Sequence, residues 1–208
     1  MVDMMPVLEV VWRHLLVGAR KGRRRWPSVT ALASELGLAI STTHRSLAHP
    51  MEIGAIDVGP IDGLQVLDPV RLLVLMAAHR HVQRDIIGRW WVALPAEEVE
   101  AAATSRRVVL GAFGAVIAQV GVNRIADYNR VLFYGDPKLP RLPAAPVGEG
   151  TEVWVAEPDT RLSRYGRVTP LAQAYSDLFS MPGWQAARFI EYLDPKMVAA
   201  SDEPVLLI

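Results

Sequence analysis

The sequence predicts an α+β protein in two parts: a helical front closed by a β-hairpin, and a rear in which helices alternate with a few strands. Three observations carry that prediction. Residues 29–47 hold two short apolar stripes at helical spacing, one on either side of Gly37. Residues 56–58 and 64–67 alternate like strands around a Gly-Pro-Ile-Asp-Gly connection, and Asp62-Gly63 is a strong hairpin signal. Beyond Asp68 helical periodicity dominates until 129–134 and 152–156, which read as strands. The expected domains are 1–68 and 69–208, with residues 69–82 as a bridging helix.

In the front part, residues 6–20 should be helical. Pro6 suits a first turn, and Val7, Leu8, Val11, Trp12, Leu15 and Leu16 make a wide apolar face. The segment closes on five cations, Arg20, Lys21, Arg23, Arg24 and Arg25, which can interact with the helix dipole or straddle a phosphate backbone. Ser28 or Thr30 can cap the next helix, whose stripe is Leu32, Ala33 and Leu36. Gly37 supplies the positive φ of a sharp helix exit. Leu38 and Ile40 are expected to fix the entry of the following helix, and Leu47 to anchor its inner face. Ser41, Thr42, His44 and Arg45 then face outward. Short donors, an imidazole and a guanidinium can reach phosphates and base edges in a major groove. The hairpin tip carries no Arg or Lys, so it should add little to such binding.

The run 36–47, Leu-Gly-Leu-Ala-Ile-Ser-Thr-Thr-His-Arg-Ser-Leu, followed by Ile53-Gly54-Ala55-Ile56, resembles the winged-helix pattern of bacterial transcription regulators. The front therefore reads as an N-terminal winged helix-turn-helix, and the hairpin as its wing. Three positions depart from the pattern. Ala39 sits where Ser or Asp usually caps the recognition helix, Thr43 replaces an aliphatic residue, and Pro50 should end that helix early. The DNA-binding residues this implies are Arg20, Lys21, Arg23, Arg24, Arg25, Ser41, Thr42, His44 and Arg45. A helical hairpin with no DNA role is the plain alternative.

In the rear, Asp68-Pro69 is a cap and first turn, and residues 70–78 are apolar nearly all round apart from Arg71, as in a helix buried on several sides. Residues 84–94, with Trp90-Trp91, come next. A helix starts at 95–100, where Glu97, Glu98 and Glu100 read as solvated first-turn acids. Residues 106–119 read as an apolar helix in which Gly111 and Gly114 permit close approach. Between the strands, 137–150 is rich in Pro and Gly and should be a loop. Thr169-Pro170 and Pro182-Gly183 start helices over 171–179 and 184–193, and 205–208 is apolar enough for an edge strand.

This rear half resembles the C-terminal domain of AbiEi-type antitoxins, including the mycobacterial relatives that accompany nucleotidyltransferase toxins. The resemblance rests on 106–114 (Arg-Arg-Val-Val-Leu-Gly-Ala-Phe-Gly), on 132–135 (Leu-Phe-Tyr-Gly), and on 169–178 (Thr-Pro-Leu-Ala-Gln-Ala-Tyr-Ser-Asp-Leu) followed by 183–193. With the winged helix in front, it covers nearly the whole chain. It implies an antitoxin that represses its own operon by binding promoter DNA and neutralises a cognate toxin of nucleotidyltransferase fold. On the same footing Tyr175, Asp177 and Trp184 are expected to serve the toxin interaction, Asp177 in an interface or structural role rather than in catalysis. A stand-alone repressor with a small-molecule-sensing rear domain is the alternative reading.

Composition narrows the chemistry. The chain has 208 residues, 51% hydrophobic and 21% charged, as in a folded rather than a disordered protein. It has no cysteine, which excludes disulfides, thiolate metal sites and cysteine nucleophiles. No signal-peptide pattern stands at the N-terminus and no run nears the ~20 apolar residues of a membrane span, so a cytoplasmic location away from membranes is expected. The net charge is zero, yet residues 1–50 hold seven Lys/Arg against three Asp/Glu. A local basic patch suffices for phosphate attraction. No catalytic constellation, cofactor motif or metal site is read: the segment around Gly111 and Gly114 is too short for a phosphate loop, and His79 and His81 are two apart, on different faces of a helix.

Overall fold

The computed structural model describes residues 7–104, 108–121, 125–136, 142–159 and 161–202. It is an α+β chain with two small sheets, an N-terminal winged helix-turn-helix and a mixed α/β rear. Contacts divide it into one unit of residues 1–79 with 193–208, and another of 80–192. The division falls after His79 rather than after Asp68. The helix over 69–79 is part of the first unit, because its Leu72, Leu73, Met76 and Ala77 are buried and it packs on the first helix. Val74 on its other side is half exposed, although the helix was expected to be buried on several sides. The strand expected at 205–208 and the first-turn Pro6 lie outside the described residues.

In the first unit, α1 (Val7–Arg20) is followed by β1 (Arg25–Trp26), α2 (Val29–Leu36), α3 (Ile40–Ser46) and α4 (Ala48–Glu52). The wing strands β2 (Ile56–Gly59) and β3 (Gly63–Val66) precede α5 (Pro69–His79). Ser28 caps α2, its Oγ accepting from Ala31 N–H at 3.0 Å. Gly37 ends it in the left-handed region at φ 62°, and its N–H returns to the carbonyls of Ala33 and Ser34. α3 starts at Ala39 without a side-chain cap. It ends at Leu47, ahead of Pro50, which instead lies in the first turn of α4, where its missing N–H costs nothing.

β1 was not legible in the sequence. It pairs antiparallel with β3, Arg25 opposite Gln65 and Trp26 opposite Leu64, so the sheet order is β1-β3-β2. Val66 N–H also donates to the Arg24 carbonyl at 2.8 Å. The arginine-rich connection is therefore stitched to the wing rather than free. A Cβ on Gly63, which sits at φ 69°, would stand 2.3 Å from the Trp26 carbonyl oxygen, so this turn requires glycine twice over.

In the second unit, a 3-10 turn (Val82–Asp85) leads into β4 (Ile86–Val92), then α6 (Ala96–Thr104), β5 (Val109–Leu110), α7 (Ala112–Val120), β6 (Arg130–Tyr134), β7 (Thr151–Ala156), α8 (Leu171–Phe179) and the start of α9 (Trp184–Asp202), whose residues from 193 on are counted with the first unit. The sheet order is β4-β7-β6-β5. β6 and β7 are parallel, Arg130 opposite Glu152, which demands the long connection that the proline- and glycine-rich segment provides. One sheet face (Val131, Phe133, Val153, Val155) packs with Ala96, Val99 and Ala103 of α6. The alternate residues Leu132 and Tyr134 face α7 and α8. With both faces covered, every residue of β7 is buried.

Residues 106–119 are not one helix. Val109 and Leu110 form β5, the chain turns at Gly111, and α7 opens on Ala112 at φ 44°. An alanine in that region carries backbone strain. α9 runs on to Asp202, past the expected end at 193, with Pro195 inside it.

Candidate nucleic-acid interface

Helix α3 is held from behind. Thr43 and Leu47 are fully buried and Ser46 nearly so. Thr43 Oγ1 donates to the Ala39 carbonyl at 3.1 Å, so the polar residue at an aliphatic position satisfies itself within the helix. The buried Trp12 indole of α1 donates to the Ser46 carbonyl at 2.6 Å, pinning the C-terminal end of α3. The opposite side is open: Ser41, His44 and Arg45 are exposed and Thr42 is half-buried. Ile40 departs from expectation. It does not close the entry of the helix but is 52% exposed, while Leu38 is half-buried.

The cations divide into two kinds. Arg23 is clamped by Glu35 of α2, its two terminal nitrogens donating to the two carboxylate oxygens at 2.7 and 2.9 Å. Its guanidinium also lies 4.7 Å from the centre of the Trp26 ring. His14 Nε2 lies 3.1 Å from the same carboxylate. The hydrogen bond from Arg23 holds the Glu35 pKa below its ordinary value, against the effect of burial and with help from His14. Burial lowers the His14 pKa, an effect that Glu35 opposes. Arg23 is thus a brace between the basic connection and α2. Lys21, Arg25 and Arg45 are exposed, with no ion pair among the described residues. Arg20 is exposed and Arg24 half-buried, and both take part in further interactions.

The residues expected to serve a protein interaction do not form one surface. Asp177 is fully buried and Tyr175 is 4% exposed. Asp177 accepts from Arg80 Nε at 2.8 Å, from Tyr134 O–H at 2.7 and 2.8 Å, and from Gln173 Nε2 at 3.0 Å. Arg80 also donates to Tyr134 Oη at 2.9 Å and pairs with Asp85. Burial raises the Asp177 pKa, an effect that Arg80, Tyr134 and Gln173 oppose. This polar knot ties α8 to β6 and to the segment ahead of β4. Neither Asp177 nor Tyr175 can meet a partner as folded. Trp184, 62% exposed at the start of α9, can.

Two further groups escaped the sequence reading. Glu152, 1% exposed, is paired by Arg130 at 2.8 Å and by Arg89, and both guanidiniums lie over the Trp154 ring, 4.6 and 5.1 Å from its centre. Burial would raise the Glu152 pKa, but the Trp154 indole and the two arginines outweigh it and hold it below the usual value. Glu100 is not a solvated acid. It is largely buried, accepts from Tyr128 O–H at 3.0 Å, and burial pushes its pKa to about 7. A Cβ on Gly114 would stand 2.4 Å from its Oε1, so Gly114 makes room for this carboxyl. The strand spacing of Arg89, Glu152 and Arg130 contains no signal that they converge, because strand order is a tertiary property.

Compared with protein-family models, with curated proteins and with solved structures, the chain matches none. Among the described residues no helix is long and apolar enough to cross a membrane.

Proposed function

We propose that this chain is a DNA-binding antitoxin: its winged helix represses its own operon, and its rear domain neutralises a cognate toxin of nucleotidyltransferase fold in the cytoplasm. The observation that carries the DNA half is the side-chain sorting on α3, with Thr43, Ser46 and Leu47 inside and Ser41, His44 and Arg45 outside. Exposed Arg25 and Lys21 near the same module add phosphate-seeking charge. The antitoxin half rests on the resemblance of residues 106–193 to the AbiEi-type rear domain. Trp184 is the expected toxin-facing residue that is open to a partner. No catalysis and no cofactor is assigned.

Co-expression tests the antitoxin half: the adjacent gene should arrest growth alone, and the full chain should restore it and co-purify with the product. Retardation of the upstream promoter fragment tests the DNA half. The fragment should be retained by the full chain and released steeply with salt, and a fragment bound no better than unrelated DNA would remove operon repression. A stand-alone repressor is the second reading, favoured by a cleft of about 450 Å³ lined by Leu94, Pro95, Glu97, Tyr128, Asn129 and Thr151. A non-toxic neighbour, together with a metabolite that releases the promoter, would select it.

A further inference from the structure

Ile40 is one of several large apolar side chains that the front unit leaves exposed, and it is the one that stands on α3. It is the first residue of α3, and 52% of it is exposed. His44 lies one turn further on the same face, while Ser41 and Arg45 form the adjoining row, all three exposed. An aliphatic side chain thus stands among a hydroxyl, an imidazole and a guanidinium. The charge of that surface suits an anionic polymer. Within a major groove the apolar group offered by the bases is the 5-methyl of thymine.

We propose that Ile40 reads sequence by packing on the 5-methyl group of a thymine, while Arg45 holds the helix to the phosphates. The inference rests on the DNA reading and adds to it a chemical identity for one base of the site. Ile40 precedes His44 by a full turn, so the thymine lies beside the base pair that His44 faces. Removing one methyl group from the duplex should then cost the energy of about one buried carbon, roughly a four-fold loss of affinity.

The test starts from duplexes enriched from a random library by the full-length protein. Each thymine of the enriched site is replaced in turn by deoxyuridine, which lacks the methyl group and keeps the pairing. One thymine should show the roughly four-fold loss with the wild-type chain. With Ile40→Ala, the same replacement should change affinity by less than about two-fold, because the methyl group has already lost its partner. The exposed position predicts an unchanged unfolding midpoint for this variant. If the wild type binds every deoxyuridine duplex as tightly as its parent, or if Ile40→Ala keeps full sensitivity, the inference is overturned while sequence-specific DNA binding stands. If the wild type retains no duplex even at low salt, the DNA reading itself falls, and this inference with it.

Discussion

Arg23 and Glu35 form a two-pronged ion pair, guanidinium to carboxylate at 2.7 and 2.9 Å, across the connection between α1 and α2. A cation committed in this way adds little to phosphate binding, although it sits in the middle of the basic run. Arg23→Ala should therefore leave the salt slope of DNA binding close to that of the wild type. Arg25→Ala and Arg45→Ala should each reduce it by about 0.9, the value of one lost phosphate contact. The pair is partly solvated, so its loss should lower stability by no more than about 1 kcal/mol. Retardation assays over a salt series separate the two kinds of arginine, and a slope that drops equally in all three variants would refute the division.

Asp177 and Trp184, both expected at a protein interface, should behave in opposite ways. Asp177→Ala takes from the buried Arg80 guanidinium one of its two carboxylate partners, Asp85 being the other, and removes the acceptor that Tyr134 and Gln173 share. Losses of this kind run to about 3–5 kcal/mol. Trp184→Ala removes an exposed ring and should change stability by less than about 0.5 kcal/mol while weakening toxin capture. Urea unfolding followed by pull-down distinguishes them. A Trp184 variant that keeps full capture would move the contact surface elsewhere.

What could be read in the sequence follows from the range of the forces involved. The α2-turn-α3 segment was legible because its determinants are local: Ser28 as cap, Gly37 at the exit, and a three-and-four spacing of apolar residues. Ile40 was misplaced because apolar residues are expected inside, whereas a folded surface commonly leaves single ones exposed. β1 and β5 have two residues each, too few for any periodicity, and exist because a partner strand captures them. Glu100 looked like an ordinary first-turn acid. Only the packing of Gly114 and Tyr128 against it, from elsewhere in the chain, takes it out of water.

That burial makes Glu100 a source of pH-dependent stability with a defined sign. Its pKa is about 7 in the folded chain against an ordinary 4.5, so between these values the folded state holds a proton that the unfolded state has released. Stability must then fall as pH rises through that window, being unaffected by this group below it and levelling off above it. The full effect comes to about 3 kcal/mol, at ~1.36 kcal/mol for every tenfold change in proton affinity. Other acids titrate in the same range, so the wild-type curve alone does not isolate it. Glu100→Gln does: the amide oxygen can still accept from Tyr128 O–H, and the side chain no longer ionises. The variant should match the wild type to within about 0.5 kcal/mol at pH 4.5 and exceed it by about 2–3 kcal/mol at pH 8. Urea midpoints measured for both proteins across that range give the difference directly. A difference that stays flat with pH would mean that Glu100 titrates as an exposed acid, and that the Gly114 contact does not keep water from it.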